Sequence, residues 1–307
     1  LDMNEGKNST HLLFAQQIEE KVNEAINLRK ELRNRPIRDI KDVETQAYLN
    51  EQAKEQLELP TLVADALVGE TFKAKGKSPN VTALSVEVDK AFEGDSDSQR
   101  MLVRRAKDGL NIDLPTGKRN RKAFHWCLEF PEVFEASGFD AIVGNPPYLG
   151  GQKITGALGT QYRKFLVNHV AQGKSGSADL VAYFFPRVNS ITAGHACFGL
   201  IAVNNIASGV NCDIGLEPIC QAGTVIYRAD VNAKWPGTAT TSTSNIFISK
   251  RSWENRKLIN SKEVPVISAS LTSRENWKPV KLAVNAKMVF QGSIILGDGF
   301  IVDEAIF

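Results

Sequence analysis

The sequence predicts an α/β protein in which a mostly helical segment precedes a sheet-forming core. Three observations predict it: helical periodicity dominates up to about residue 122, short apolar runs closed by Gly, Pro or Asn begin after it, and an amphipathic stripe lies between two of those runs. Strand, helix, strand of these lengths is the order of a right-handed crossover between parallel strands.

From Thr10 to Arg33, the residues Phe14, Ile18, Val22, Ala25 and Leu32 recur at helical spacing with Glu and Lys between them, and Pro36 lies just past the end. A second helix is expected from about Asp42 to Leu57. After Pro60 a third, shorter one carries Leu62, Val63, Ala66 and Leu67, because proline normally ends the helix before it. Gly69 to Asp97 reads as loop, with one more helix near Val81 to Phe92. Between Arg100 and Lys122 the basic residues Arg100, Arg104, Arg105, Lys107, Lys118, Arg119, Arg121 and Lys122 face only Asp108 and Asp113. This stretch reads either as a solvated helix face with a charged loop or as a phosphate-contacting surface.

The character changes near Phe124. Phe139-Asp140-Ala141-Ile142-Val143-Gly144 has the composition of a buried parallel strand that ends at a functional edge. Asp179 to Ile191 follows as a helix with the stripe Leu180, Phe184, Val188 and Ile191; Asp179 is suited to cap it and Pro186 to kink it. Cys197 to Val203 and Asn245 to Ser249 are two further strands.

A chain of 307 residues with 42% hydrophobic and 23% charged residues can bury a substantial core, and it holds no apolar run long enough to cross a bilayer. It is expected not to meet a membrane. Cys127, Cys197, Cys212 and Cys220 form neither a C-x-x-C pair nor an extracellular framework, so reduced core thiols and a cytoplasmic location are expected. A formal charge of +2 argues against nucleic-acid binding by bulk charge and leaves local clusters open. His125 and His169 lack partner spacing for a triad or a metal site, and no metal is expected. Beginning at Leu1 and stopping at Phe307, the chain reads as a fragment.

The chemistry-bearing constellation is Asn145-Pro146-Pro147-Tyr148. An Asn side-chain oxygen and the carbonyl of the next residue are two hydrogen-bond acceptors, and successive prolines fix φ and remove competing donors. Such a pair can hold both hydrogens of an exocyclic base amine and localise a lone pair that is otherwise delocalised into the ring. The target atom is inaccessible within a duplex, so the base must be extruded, and the Tyr148 ring offers it a stacking platform.

These residues resemble the amino-methyltransferases that carry an Asn-Pro-Pro-aromatic signature after a sheet strand. Further segments resemble the adenine-specific DNA methyltransferases of type IIG restriction-modification proteins. They are Phe124-His125-Trp126 and Glu129 to Phe134 before the tetrapeptide, Leu149 to Gly156 with Tyr162-Arg163 after it, Ser177 to Phe185, and Gly199 to Asn205. The resemblance covers about Ala123 to Lys250. It implies a partial Rossmann-like methyltransferase core using S-adenosylmethionine, with methyl transfer to the N6 amine of adenine in double-stranded DNA by base flipping, in a restriction-modification or phage-defence system. Asn145 to Tyr148 would be catalytic, Asn145 and Asp179 would border the cofactor, and Trp235 would stack on the opposite face of the base or else anchor its loop. Lys153 and Arg163 would touch phosphates or remain solvated.

The same resemblance divides the chain into a helical insertion at 1–122, the catalytic half at 123–255, and at 256–307 a linker with the start of a target-recognition domain, carried by Phe290 to Ser293 and Leu296 to Phe300. The family's glycine-rich cofactor turn and the acidic residue after its second strand are not found in the sequence, so a cofactor-binding segment and most of a recognition domain are expected elsewhere. Two alternatives stand beside this reading: a protein-glutamine or RNA methyltransferase using the same tetrapeptide, and an inactive DNA-binding remnant.

Overall fold

The structure is a computed structural model and describes residues 15–79, 81–235 and 242–274. Four helices come first: α1 (Ala15–Asn34), α2 (Ile40–Lys73), α3 (Thr82–Phe92) and α4 (Ser96–Leu110). Asp39 starts α2 with a reciprocal capping box to Asp42, which satisfies amides that the first turn leaves without partners.

α2 is one helix of 34 residues with Pro60 inside it, where two helices were expected. Leu49, Ala53, Leu57, Pro60, Val63 and Ala66 are all buried at spacings of three and four, so one apolar face continues across the proline. Packing of that face against α1 and α4 offsets the roughly 3 kcal/mol cost of an interior proline. Gly69 and Gly109 let α2 and α4 meet at backbone contact; a Cβ on Gly109 would lie 2.6 Å from Gly69 Cα. Around this crossing Val63, Ala66, Leu84, Val88, Leu102 and Ala106 form a small core of their own. Arg105 ties the three helices together through Glu70, at 3.0 Å, and Glu87. Burial raises the Glu70 carboxyl, but hydrogen bonds from Lys73 and Arg105 outweigh it and hold the pKa below its ordinary value.

Two short helices, α5 (Trp126–Glu129) and α6 (Pro131–Glu135), lead into strand β1 (Phe139–Gly144). α7 (Gly151–Leu158), α8 (Thr160–Phe165) and one π turn (Leu166–Val170) follow, then α9 (Leu180–Ile191) and β2 (Thr192–Val203). A 3-10 turn (Asn204–Ala207), α10 (Gly209–Ile214) and α11 (Leu216–Gln221) precede β3 (Val225–Lys234), β4 (Ser242–Ser249), β5 (Lys257–Ile259) and β6 (Lys262–Val264). α9 continues through Pro186, and its buried Val181, Phe185 and Val188 join Phe198, Leu200, Ile226, Ile246 and Ile248 in the main core.

The described strands form one mixed sheet in the order β1-β2-β4-β3-β5-β6. β1 and β2 are parallel, with α9 between them in sequence, as the strand-helix-strand pattern predicts. β4 is antiparallel to both β2 and β3, so β1, β2 and β3 all run the same way and end at one edge. The sequence reading missed β3, whose apolar alternation is broken by Arg228 and Asp230 and by register shifts at Ile226/Arg228 and Asp230/Ala233.

A second correction concerns β1. It was expected to be buried, yet among the described residues it pairs only with β2, and Val143 is 84% exposed. Its apolar composition suits a strand with neighbours on both sides, and it has one.

The helical segment is fastened to the core ahead of β1 and after it. Glu132 of α6 is buried and accepts from Arg29, at 3.2 Å, and from Arg33, both on α1, while Lys30 pairs with Glu135 at 2.7 Å. His125 meets Asp65 of α2 at 2.8 Å, and Phe72 packs edge-on against Tyr162 and Phe165.

Candidate active site

Asn145 follows the carboxyl end of β1, the place where open α/β sheets gather their ligands. Pro146 is buried and anchors the turn, while Asn145, Pro147 and Tyr148 are exposed, with Tyr148 at 42%. The turn therefore opens to solvent. The Tyr148 hydroxyl donates to Asn145 Oδ1, so the carboxamide oxygen is held in place by the ring beside it. Partial burial pushes the Tyr148 phenol above its ordinary pKa, and it remains a neutral donor at physiological pH.

What fixes the turn is Asp179. It occupies the N-cap position of α9, as expected, but its carboxylate makes no capping bond there. Oδ1 instead accepts from the Gly151 amide at 2.9 Å, and Oδ2 from Asn205 Nδ2 at 2.6 Å and Asn211 Nδ2 at 3.4 Å. Asn211 Oδ1 accepts from the Asp179 amide at 2.7 Å, and the Leu149 carbonyl accepts from the Leu180 amide at 2.8 Å. The negative charge thus sits at the N-terminus of α7, satisfying one of its free amides and opposing its dipole. Gly151 permits this closeness, since a Cβ there would fall 2.1 Å from the Ser177 carbonyl oxygen.

A second polar group continues along the same edge of the sheet. Asn204, directly after β2, accepts at Oδ1 from Ser244 Oγ at 2.8 Å and from the Asn232 amide at 3.3 Å, and its Nδ2 donates to Asn232 Oδ1. Asn232 adopts a positive φ of 59° three residues before Trp235. The sequence reading did not single out Asn204, Asn205, Asn211 or Asn232; an Asn pair closing an apolar strand, as Asn145 closes β1, was the available signal.

The structure brings Tyr148 and Trp235 to the same edge, after β1 and β3 respectively, with β2 and β4 between them. Three strand spacings separate the two strands by about 14 Å. Trp235 is half-buried, and residues 236–241 of its loop lie outside the described residues.

Lys153 is exposed on α7. Arg163 is not: its guanidinium donates to the Gly176 carbonyl at 3.1 Å, an internal brace of the loop before α9. His125 is held by Asp65, and the exposed His169 lies with its ring tilted 5.1 Å from the Phe165 ring, its pKa lowered by partial desolvation. Cys127 is exposed, contrary to the expectation of core thiols; Cys212 is buried and Cys197 and Cys220 are half-buried, and all four are free. Among the described residues no group of three His, Cys, Asp or Glu is placed to hold a metal ion, and no helix is long and apolar enough to cross a membrane. A depression lined by Ile259, Asn260, Lys262 and Leu271 lies at the β5–β6 end and shares no residue with the Asn145 turn. The segments 290–293 and 296–300 that resemble a recognition domain lie outside the described residues.

The sequence model of one family, described as the Eco57I restriction-modification methylase, matches residues 50–213, more than half of the chain and the whole of the Asn145 turn. The chain belongs to the Eco57I restriction-modification methylase family. The match runs from α2 to α10 and so includes helices ahead of β1 as well as β1 and β2. No curated protein sequence matches the chain. Among solved structures it is similar to the type IIL restriction-modification enzyme MmeI in complex with DNA, at 17% identity and a TM-score of 0.39. That likeness covers 56% of this chain and 26% of the MmeI chain.

Membership implies a methyltransferase that uses S-adenosylmethionine in general, for which the described residues would have to form a cradle. They do not fit one. Asp179, the expected cofactor contact, has both oxygens engaged by Gly151, Asn205 and Asn211. No glycine-rich turn between a strand and a long helix lies among the described residues. Asn145 remains the one expected cofactor neighbour that is open.

Proposed function

We propose that this chain is the base-capturing, catalytic half of a DNA methyltransferase that acts on the N6 amine of adenine, within a restriction-modification or phage-defence system. The carrying observation is the solvent-open Asn145 carboxamide at the carboxyl end of β1, held on a proline-fixed turn. An extruded adenine places its amine where the Tyr148 hydroxyl now donates; Asn145 Oδ1 and the Pro146 carbonyl accept its two hydrogens and leave the nitrogen lone pair directed outward. Tyr148, released from Asn145, stacks on one face of the base, and Trp235 approaches the other from the β3 side. S-adenosylmethionine would supply the methyl group as an activated sulfonium. The edge of β1 that is unpaired among the described residues, with Val143 outward, suits a further strand.

The test is radiolabel transfer from S-adenosylmethionine by the full-length enzyme to duplex DNA, RNA and protein. Asn145→Ala is expected to abolish transfer to DNA while leaving DNA binding nearly unchanged, because only a hydrogen bond to the reacting amine is lost. Label in protein or RNA instead of DNA supports the alternative acceptors, and equal loss of binding removes Asn145 from its role. Absence of cofactor binding by the full-length protein favours a DNA-binding remnant, the reading that the unfit cofactor cradle supports.

A further inference from the structure

We infer that the loop 114–122, docked beside α7 and α8, is a phosphate-contacting face for duplex DNA, with Lys118, Arg119 and Lys122 as its contacts. The inference rests on the DNA reading above and adds residues outside the catalytic turn. Two stretches of the sequence, 114–128 and 141–178, contain no Asp or Glu, while they carry Lys118, Arg119, Arg121, Lys122, Lys153, Arg163, Lys164 and Lys174. The fold joins them. Arg121 donates to the Leu110 carbonyl at 2.6 Å and the Ile112 carbonyl at 3.0 Å on its own side, and to the Leu158 carbonyl at the end of α7. Asp113 accepts from the Gln161 amide at 2.6 Å, and Gly159 turns between them with a φ of 91°.

Three of these cations are occupied internally: Arg121 as above, Arg163 on the Gly176 carbonyl, and Lys174 on the Asp213 carbonyl at 3.1 Å. The others, Lys118, Arg119, Lys122, Lys153 and Lys164, are exposed and take part in none of the ion pairs of the described residues. The neighbouring exposed arginines of α4 behave differently, since Arg100 pairs with Asp97 and Arg104 with Asp108 along their own helix. Two arginines paired along their own helix and a loop whose exposed cations take part in no ion pair of the described residues are distinct surfaces, although both fall in one basic stretch of sequence. The docking point, Leu158, is one α7 length from Gly151, about 12 Å at 1.5 Å per residue. One strand of B-DNA carries a phosphate every 3.4 Å along the axis, so one α7 length corresponds to about three to four phosphates of one strand.

The test is fluorescence anisotropy of a duplex oligonucleotide with the whole chain, titrated between 50 and 200 mM salt as about the range in which counterion release is read. K118Q/R119Q/K122Q keeps long polar side chains on an exposed loop. It is expected to lower the slope of log affinity against log salt by about 2 to 3, at roughly 0.9 per phosphate contact. R100Q/R104Q is expected to leave the slope unchanged. An unaltered slope in the triple variant, with normal binding by the native chain, overturns this surface and leaves the methyltransferase reading standing. A native chain without salt-dependent duplex binding overturns the DNA reading together with it.

Discussion

Replacing Asp179 with alanine tests whether the Asn145 turn is held by its carboxylate. Three donors lose their acceptor: the Gly151 amide, at 2.9 Å, and the side-chain amides of Asn205, at 2.6 Å, and Asn211, at 3.4 Å. Asn205 is exposed and regains water, so its loss is small. Gly151 and Asn211 are buried, and a buried donor left unsatisfied costs about 1 to 3 kcal/mol. Asp179 itself is half-buried, which admits some water to the gap and favours the lower half of that range, about 2 to 4 kcal/mol in all. Asp179→Asn keeps an oxygen for Gly151 but turns an amide toward two amide donors, and it is expected to lose about half as much. The assay is urea denaturation, read as a shift of midpoint at constant slope. A loss below about 1 kcal/mol for Asp179→Ala, or an Asn variant as unstable as the Ala variant, would refute the idea that this carboxylate organises the turn.

Other outcomes follow from single contacts. Tyr148→Ala is expected to weaken capture of an extruded base, read with a fluorescent base analogue, by about 1 to 3 kcal/mol of stacking, while Tyr148→Phe keeps it. Gly109→Ala forces a Cβ within 2.6 Å of Gly69 Cα and is expected to destabilise by about 1 to 3 kcal/mol in thermal unfolding. Gly156→Ala on α7, where a Cβ meets nothing within 4 Å, is expected to stabilise by about 0.5 to 1 kcal/mol through helix propensity. Burial pushes the Cys212 thiol up to about 11 and the Cys220 thiol up to about 12, so thiol reagents at pH 8 are expected to label Cys127 first and these two only on unfolding. Because both folded values exceed that of a free thiol, their contribution to stability is complete below pH 9 and is lost as pH rises toward 11 to 12, which alkaline denaturation of Cys→Ala variants would register.

The basic stretch shows what a linear reading merges. Arg105, Arg121 and Lys122 lie within eighteen positions, yet the first ties α2, α3 and α4 together, the second fastens a loop to α7, and the third faces solvent. Charge and spacing are the same kind of signal for all three, and only the partner brought by the fold separates them. Arg163, expected from the resemblance to touch phosphates or remain solvated, has a guanidinium that donates to the Gly176 carbonyl.

By itself the sequence determined the elements whose cause is local. The 3.6-residue stripes of α1 and α9, the apolar runs of β1 and β2, and the rigid acceptor turn at Asn145 each depend on side chains a few positions apart. Tertiary structure decided what depends on partners far along the chain: that α2 crosses Pro60, because its buried face is shared with α1 and α4; that β3 pairs despite Arg228 and Asp230; and that β1, among the described residues, pairs only with β2. It also decided the work of Asp179, whose acceptor capacity is spent 26 to 32 residues away in either direction rather than on the helix it begins. A carboxylate goes where buried donors need it, and their positions are a property of the packed chain.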